Sequence, residues 1–143
     1  LEIFSRVGDV REQGIAYLHL AETALAEGDS EEARAYCVQA VRRFSRVGFE
    51  LGIADVGRVY AGIATEEGRT AVAERYLREA LAIYEAHSDQ LNVAETRQTL
   101  ASLLEKAGKS YEAREHLEQS RIIYRALLDA AESKPFEEGN PGG

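Results

Sequence analysis

Phe44-Ser45-Arg46-Val47-Gly48 repeats, residue for residue, Phe4-Ser5-Arg6-Val7-Gly8. The interval is 40, and two further steps of 40 land on Tyr84 and Tyr124. Gly28, Gly68 and Gly108 keep the same interval, and each is followed two residues later by Ser30, Thr70 or Ser110. Two marker sets that agree without a gap define a repeated unit, and repetition at such a period sets the architecture of the whole chain. A competing match pairs Gly14-Ile15-Ala16 with Gly52-Ile53-Ala54, but its spacing is 38 and it forces an insertion before Gly68. It reads as a coincidence.

With the period fixed, columns appear. Ala21, Ala61 and Ala101 form one, Ala33, Ala73 and Ala113 a second, and Ala40, Ala80 and Ser120 a third. Alanine is 22 of 143 residues, so eight Ala in nine cells is far from chance. Small residues at fixed places imply helices that approach closely. Larger apolar columns complement them: Leu20, Tyr60 and Leu100 before the first Ala column, Cys37, Leu77 and Leu117 four residues after the second, and Phe44, Tyr84 and Tyr124 closing each unit. The 3-and-4 spacing is helical, and no period-2 alternation argues for a strand. Each unit is therefore two helices. First helices are predicted at about 11–27, 51–67 and 91–107, second helices at about 30–47, 70–87 and 110–132. The Gly column fits the left-handed residue that ends a helix, and Ser30, Thr70 and Ser110 fit the following N-caps. Asp9 with Glu12, and Asp29 with Glu32, have capping-box spacing.

These columns resemble the tetratricopeptide repeat. That family has two antiparallel helices per unit, with a Leu-Ala pair in the first and spaced Ala, large apolar and Ala in the second. Leu20-Ala21, Gly28-Asp29, Ala33, Cys37 and Ala40 match in order. Tyr60-Ala61, Gly68, Ala73, Leu77 and Ala80 match in the next unit, and Leu100-Ala101, Gly108, Ala113, Leu117 and Ser120 in the third. The interval of 40 resembles the longer-helix subgroup, found in kinesin light chains, polarity scaffolds and bacterial regulators. The resemblance implies an all-α fold, an α-solenoid of antiparallel helix pairs. It divides the chain into 1–8, the end of a preceding repeat helix, then units at 9–48, 49–88 and 89–132, the last with an extended capping helix. A Pro/Gly-rich tail, 133–143, reads as a linker or flexible terminus.

Composition bounds the function. At 15.8 kDa the chain is one domain's worth, with 45% hydrophobic and 29% charged residues, which excludes disorder for most of it. A net charge of −8 disfavours nucleic acid and anionic membrane. No apolar stretch approaches the ~20 residues a membrane span needs, and no signal peptide is visible. The single cysteine excludes a disulfide framework, and a cytoplasmic setting follows. There is no Met, and the chain reads as a fragment of a longer protein; abundant Ala, Arg, Glu and Gly point to a bacterial source.

No catalytic constellation is present. His19, His87 and His116 do not cluster in sequence, and Glu115-His116 are adjacent, so they point apart on a helix. No two His stand four apart around a Glu, so no metal site is expected. Cys37 shares a column with Leu77 and Leu117 and reads as a small core hydrophobe. Gly52, Gly57 and Gly62 lack a preceding strand and a Gly-Lys-Ser/Thr ending, which excludes a phosphate loop and any cofactor built on it. Gly57 and Gly62 each cost about 1 kcal/mol inside a helix, and close helix packing is the expected compensation.

The expected function is a non-catalytic protein-interaction module. In the resembled family ligands dock on the concave face lined by first helices. Matching cells here are Leu18, His19 and Glu22 in unit one and Asp55, Arg58, Val59, Gly62 and Glu66 in unit two. Unit three offers Glu95, Gln98, Thr99, Ser102, Glu105 and Lys106. The family's carboxylate clamp is absent, since its cells hold Leu18, Glu22, Val59, Glu95 and Thr99. The Asn ladder of the long-repeat subgroup is absent too, with His19, Val59 and Thr99 in its place. The charged groove cells are five acidic to two basic, so the expected partner is a basic, helical or folded element of a protein or peptide. The alternative is the sensory or oligomerisation domain of a larger bacterial regulator. The apolar start, Leu1, Ile3, Phe4 and Val7, adds an expected weak self-association through the N-terminal end.

Overall fold

The computed structural model describes residues 2–133, with side chains from residue 6 onward. Six α-helices follow one another: α1 (Glu2–Ala26), α2 (Ser30–Val47), α3 (Glu50–Glu66), α4 (Thr70–Ala86), α5 (Gln90–Lys106) and α6 (Ser110–Ser133). No strand occurs among the described residues. Each helix packs most heavily on its partner in the pairs α1/α2, α3/α4 and α5/α6, and α2 on α3 and α4 on α5 join the pairs into an all-α solenoid.

The turns are built alike. Gly28, Gly48, Gly68 and Gly108 adopt φ of 82°, 69°, 74° and 80°, and Ser88 adopts 53°. At each, the next residue's N–H reaches back five positions, as in Asp29 N to Ala24 O (2.9 Å) and Phe49 N to Phe44 O (2.9 Å), closing a Schellman turn. The next helix is capped one residue earlier than its Ser or Thr. Asp29 and Asp89 accept from the N–H groups of Glu32 (3.0 Å) and Asn92 (3.3 Å), whereas Arg69 caps α4 without a side-chain bond. Ser30, Thr70 and Ser110 are instead the first helical residues, because the single turn residue after each glycine already takes the cap position.

One expected boundary is missing. α1 runs unbroken through Gly8 and Asp9, so Asp9 and Glu12 form no capping box and 1–8 is not a separate helix end. The repeated pentapeptide explains why. After Gly48 comes Phe49, whose ring meets Phe44 edge-on at 5.3 Å and clinches the turn. After Gly8 comes Asp9, which offers no such apolar contact, and the helix continues. Residues 134–143, most of the predicted tail, lie outside the described residues, as do the side chains of Leu1, Ile3 and Phe4; Ser133 closes α6.

All nine cells of the small-residue columns are buried. Ser120 keeps its place in the third column by donating its hydroxyl to the Ala94 carbonyl at 2.9 Å. The large apolar columns are buried less uniformly. Leu100 is fully buried, but Leu20 is 45% exposed. Cys37 and Leu77 are buried, but Leu117, on the last helix, is 40% exposed.

Glycines serve two different ends. A Cβ on Gly14 would fall 2.6 Å from the Phe44 ring, and one on Gly52 2.7 Å from its other side. The 38-residue match thus has a physical origin outside the repeat: both glycines make room for one aromatic ring. Gly62 is packed as expected, with Leu25 Cδ2 2.6 Å from where a Cβ would stand. Gly57 departs from expectation, since its nearest neighbours would be at 3.9 Å, an ordinary contact.

Candidate functional site

The first helices α1, α3 and α5 stand side by side, and a trough runs between them. One cavity of about 460 Å³ is lined by Glu22, Asp55, Arg58, Val59, Glu95 and Thr99 over Leu25, Ala26 and Leu77. A second, of about 310 Å³, continues it through Gly62, Glu66, Ser102 and Lys106 over Ala61, Thr65 and Leu103. The two share Leu25, Arg58, Leu77 and Thr99, so they form one continuous trough.

Most of the sequence-predicted groove residues therefore come together here. Gln98 and Glu105 do not; with Ser102 and Lys106 they line a separate groove of about 530 Å³ between α5 and α6. Leu18 is corrected outright. It is 7% exposed and belongs to the core packed between α1, α2 and α3, because its side chain points toward α2 rather than into the trough. His19 lies outside the cavities; it is exposed, with Nδ1 3.3 Å from Glu22 Oε1. Sequence reasoning found Val59 but missed the rest of the floor. Leu25 lies one helical turn beyond Ala21 on the same face, and Leu77 had been assigned wholly to the core, although it closes the bottom of the trough between α3 and α5.

Electrostatics sharpen the picture. Arg58 donates to Asn92 Oδ1 at 3.1 Å and to Glu95 Oε2 at 3.4 Å, tying α3 to α5 and using up the charge of Glu95. Tyr84 donates its hydroxyl to Asp55, and burial raises the Asp55 carboxyl from its ordinary value despite that bond and nearby Arg58. Burial likewise raises the Tyr84 phenol and pushes the Cys37 thiol up to about 12, leaving it an inert core side chain. Among the described residues no three His, Cys, Asp or Glu side chains converge as metal ligands, and no helix is long and apolar enough to cross a membrane.

Antiparallel helix pairs stacked at a constant period, with a trough along the first helices, define a helical-repeat protein of the solenoid class. The tetratricopeptide repeat family model matches residues 12–86 and again 53–126, and the chain belongs to that family. A solved structure, the TPR domain of Arabidopsis FLU, superposes with a TM-score of 0.63 at 18% identity, over 87% of this chain and 99% of that one. At that identity the likeness concerns the fold. No curated protein matches the sequence. Tetratricopeptide repeats are in general protein-interaction scaffolds.

Proposed function

We propose that this chain is a non-catalytic interaction module that seats a basic, helical element of a partner protein in the trough between α1, α3 and α5. The observation that carries the reading is the combination of an apolar floor, Leu25, Val59, Leu77 and Leu103, with carboxylates at Glu22, Asp55 and Glu66. Such a surface accepts the apolar face of an amphipathic helix while its Lys or Arg residues reach the rim. Without an Asn ladder, capture of an extended peptide through its backbone has no side chains to perform it.

Glu22 and Glu66 are the informative pair, since Glu95 is already engaged by Arg58. Capture from an extract of the native host, with wild-type chain and with the Glu22→Lys, Glu66→Lys double variant as baits, tests the reading. The expected partner is held by the wild type, released by salt as charges more than about 10 Å apart are screened, and lost by the variant at unchanged helical circular dichroism. Retention by the reversed bait, or binding that tightens with salt, moves the interface off the trough.

A further inference from the structure

Tyr17, Gly57 and Arg97 form one column of the repeat, and Tyr36, Tyr76 and His116 form the column it meets. Only unit two has no side chain to bring to that meeting. In unit one the Tyr17 ring lies 6.1 Å from the Tyr36 ring, with the Arg43 guanidinium 4.6 Å above it. In unit three Arg97 reaches His116 Nδ1 at 2.9 Å. The unit-two counterparts of Tyr36 and Arg43 are Tyr76 and Ile83. Both line a cavity of about 150 Å³ beside Gly57, with Val41, Ile53 and Tyr60 as further walls. A Cβ on Gly57 would have no neighbour nearer than 3.9 Å. The cavity thus stands where unit one holds a tyrosine ring. Tyr76 does not close it, because its ring stacks on Tyr60 at 5.2 Å, 17° from parallel, and the two rings form one aromatic wall. The wall residues are half-buried, so the cavity opens to the surface, and exposed Glu79 stands at its edge.

We propose that this cavity is a binding site for a small molecule carrying a single six-membered aromatic ring. An apolar cavity of this volume accepts a benzene-sized molecule. The Tyr60–Tyr76 wall takes a third ring by offset or edge contact, and Val41, Ile53 and Ile83 supply close apolar contact on the other sides. The one charged residue of the lining is Glu79, a carboxylate. A cationic or neutral substituent therefore leaves through the mouth more readily than an anionic one. A ligand of this size gains little contact area, so its dissociation constant is about millimolar. At 100° per residue, Ile53, Gly57 and Tyr60 fall on the side of α3 opposite Asp55, Arg58 and Val59. The site is separate from the trough and does not depend on the proposed function.

Titration of the full chain with benzylamine, benzyl alcohol and benzoate, followed through backbone amide chemical shifts, tests this. Saturable shifts are expected around Ile53 to Tyr60 and Tyr76 to Ile83, with benzoate weaker than benzylamine by about two- to fivefold, the range of one exposed charge contact. Gly57→Tyr, which gives unit two the side chain of unit one, is expected to abolish the shifts with helical circular dichroism retained. Gly57→Ala adds only a methyl group and favours the helix, so it keeps the fold even where Tyr distorts the crossing, and it is expected to weaken binding. Glu79→Gln is expected to remove the difference between benzylamine and benzoate. The proposal is overturned by a chain that shows no saturable shifts, by shifts centred on the trough, by binding undiminished in both Gly57 variants, or by benzoate binding as tightly as benzylamine. N-acetyl-phenylalanine amide bound where the three free rings are not also overturns it, and makes a partner's side chain the occupant.

Discussion

Phe44 and Tyr84 hold the same place one repeat apart, and the chain surrounds them in opposite ways. Phe44 is pinched between two glycines, Gly14 and Gly52, and braced by Phe49. One repeat on, the glycine positions are Ala54 and Asn92, Tyr84 packs with Ala54, Leu81 and Val93, and its hydroxyl goes to Asp55. The same divergence runs through a second pair of columns. Tyr17 meets Tyr36 at 6.1 Å in unit one; Gly57 and Tyr76 share the site in unit two, where Tyr76 stacks on Tyr60 at 5.2 Å; Arg97 and His116 meet at 2.9 Å in unit three. The period fixes where helices cross, while the contents of each crossing change together, a side chain with its neighbours. A repeat is conserved as geometry and renegotiated as chemistry.

The sharpest way to break the comparison is to empty the first pocket. Phe44→Ala is expected to cost about 3–5 kcal/mol in urea denaturation, the range for a buried aromatic. A loss under 1 kcal/mol would mean that the two glycines do not seat the ring. Gly52→Ala is expected to cost about 1–3 kcal/mol by forcing that ring aside, whereas Gly57→Ala, which has room, is expected to gain about 1 kcal/mol from helix propensity. Equal midpoints for the two variants would dissolve the distinction between them.

The third crossing carries its own flaw. Thr96 is fully buried where unit two has Val56, and its hydroxyl has no hydrogen-bond partner among the described residues. Thr96→Val is expected to raise stability by about 1 kcal/mol; a destabilised variant would reveal a partner for the hydroxyl. Ser88 occupies the left-handed position that glycine fills in the other turns, and Ser88→Gly is expected to gain about 0.5–1 kcal/mol in the same assay. The smallest effect is the pH response of the His116 crossing. Burial, with Arg97 beside it, holds that imidazole below its ordinary 6.5, so the native state resists protonation there. Stability should be flat above that pH and fall on acidification below it, levelling off once the lowered native value is passed. His116→Gln should flatten this part of the profile, and an unchanged slope would assign the acid response to other groups.

The helix pairs were legible because alanine at a helix crossing leaves little choice: Ala33, Ala73 and Ala113 are buried wherever the period puts them. The turn glycines were legible for a related reason, since the left-handed conformation selects the residue. Boundaries set by tertiary contact were not. The pentapeptide itself does not separate Gly8 from Gly48; what differs is the next residue, Asp9 or Phe49, and what it can pack against. The trough was legible on its rim, where charges stand at periodic places, and hidden on its floor, because a leucine lining a cleft and one filling a core give the same sequence signal. Leu18, expected on the trough, fills the core, and Leu77, buried in the core as expected, also closes the bottom of the trough.

The lone thiol has a use beyond packing. Cys37 is sealed from solvent in α2 and its proton is held far above neutral pH, so a thiol reagent finds no nucleophile until unit one opens. The reaction rate of the unmodified protein therefore reports the opening of that unit alone, and its comparison with global unfolding measures whether the solenoid comes apart as one body or from its ends inward.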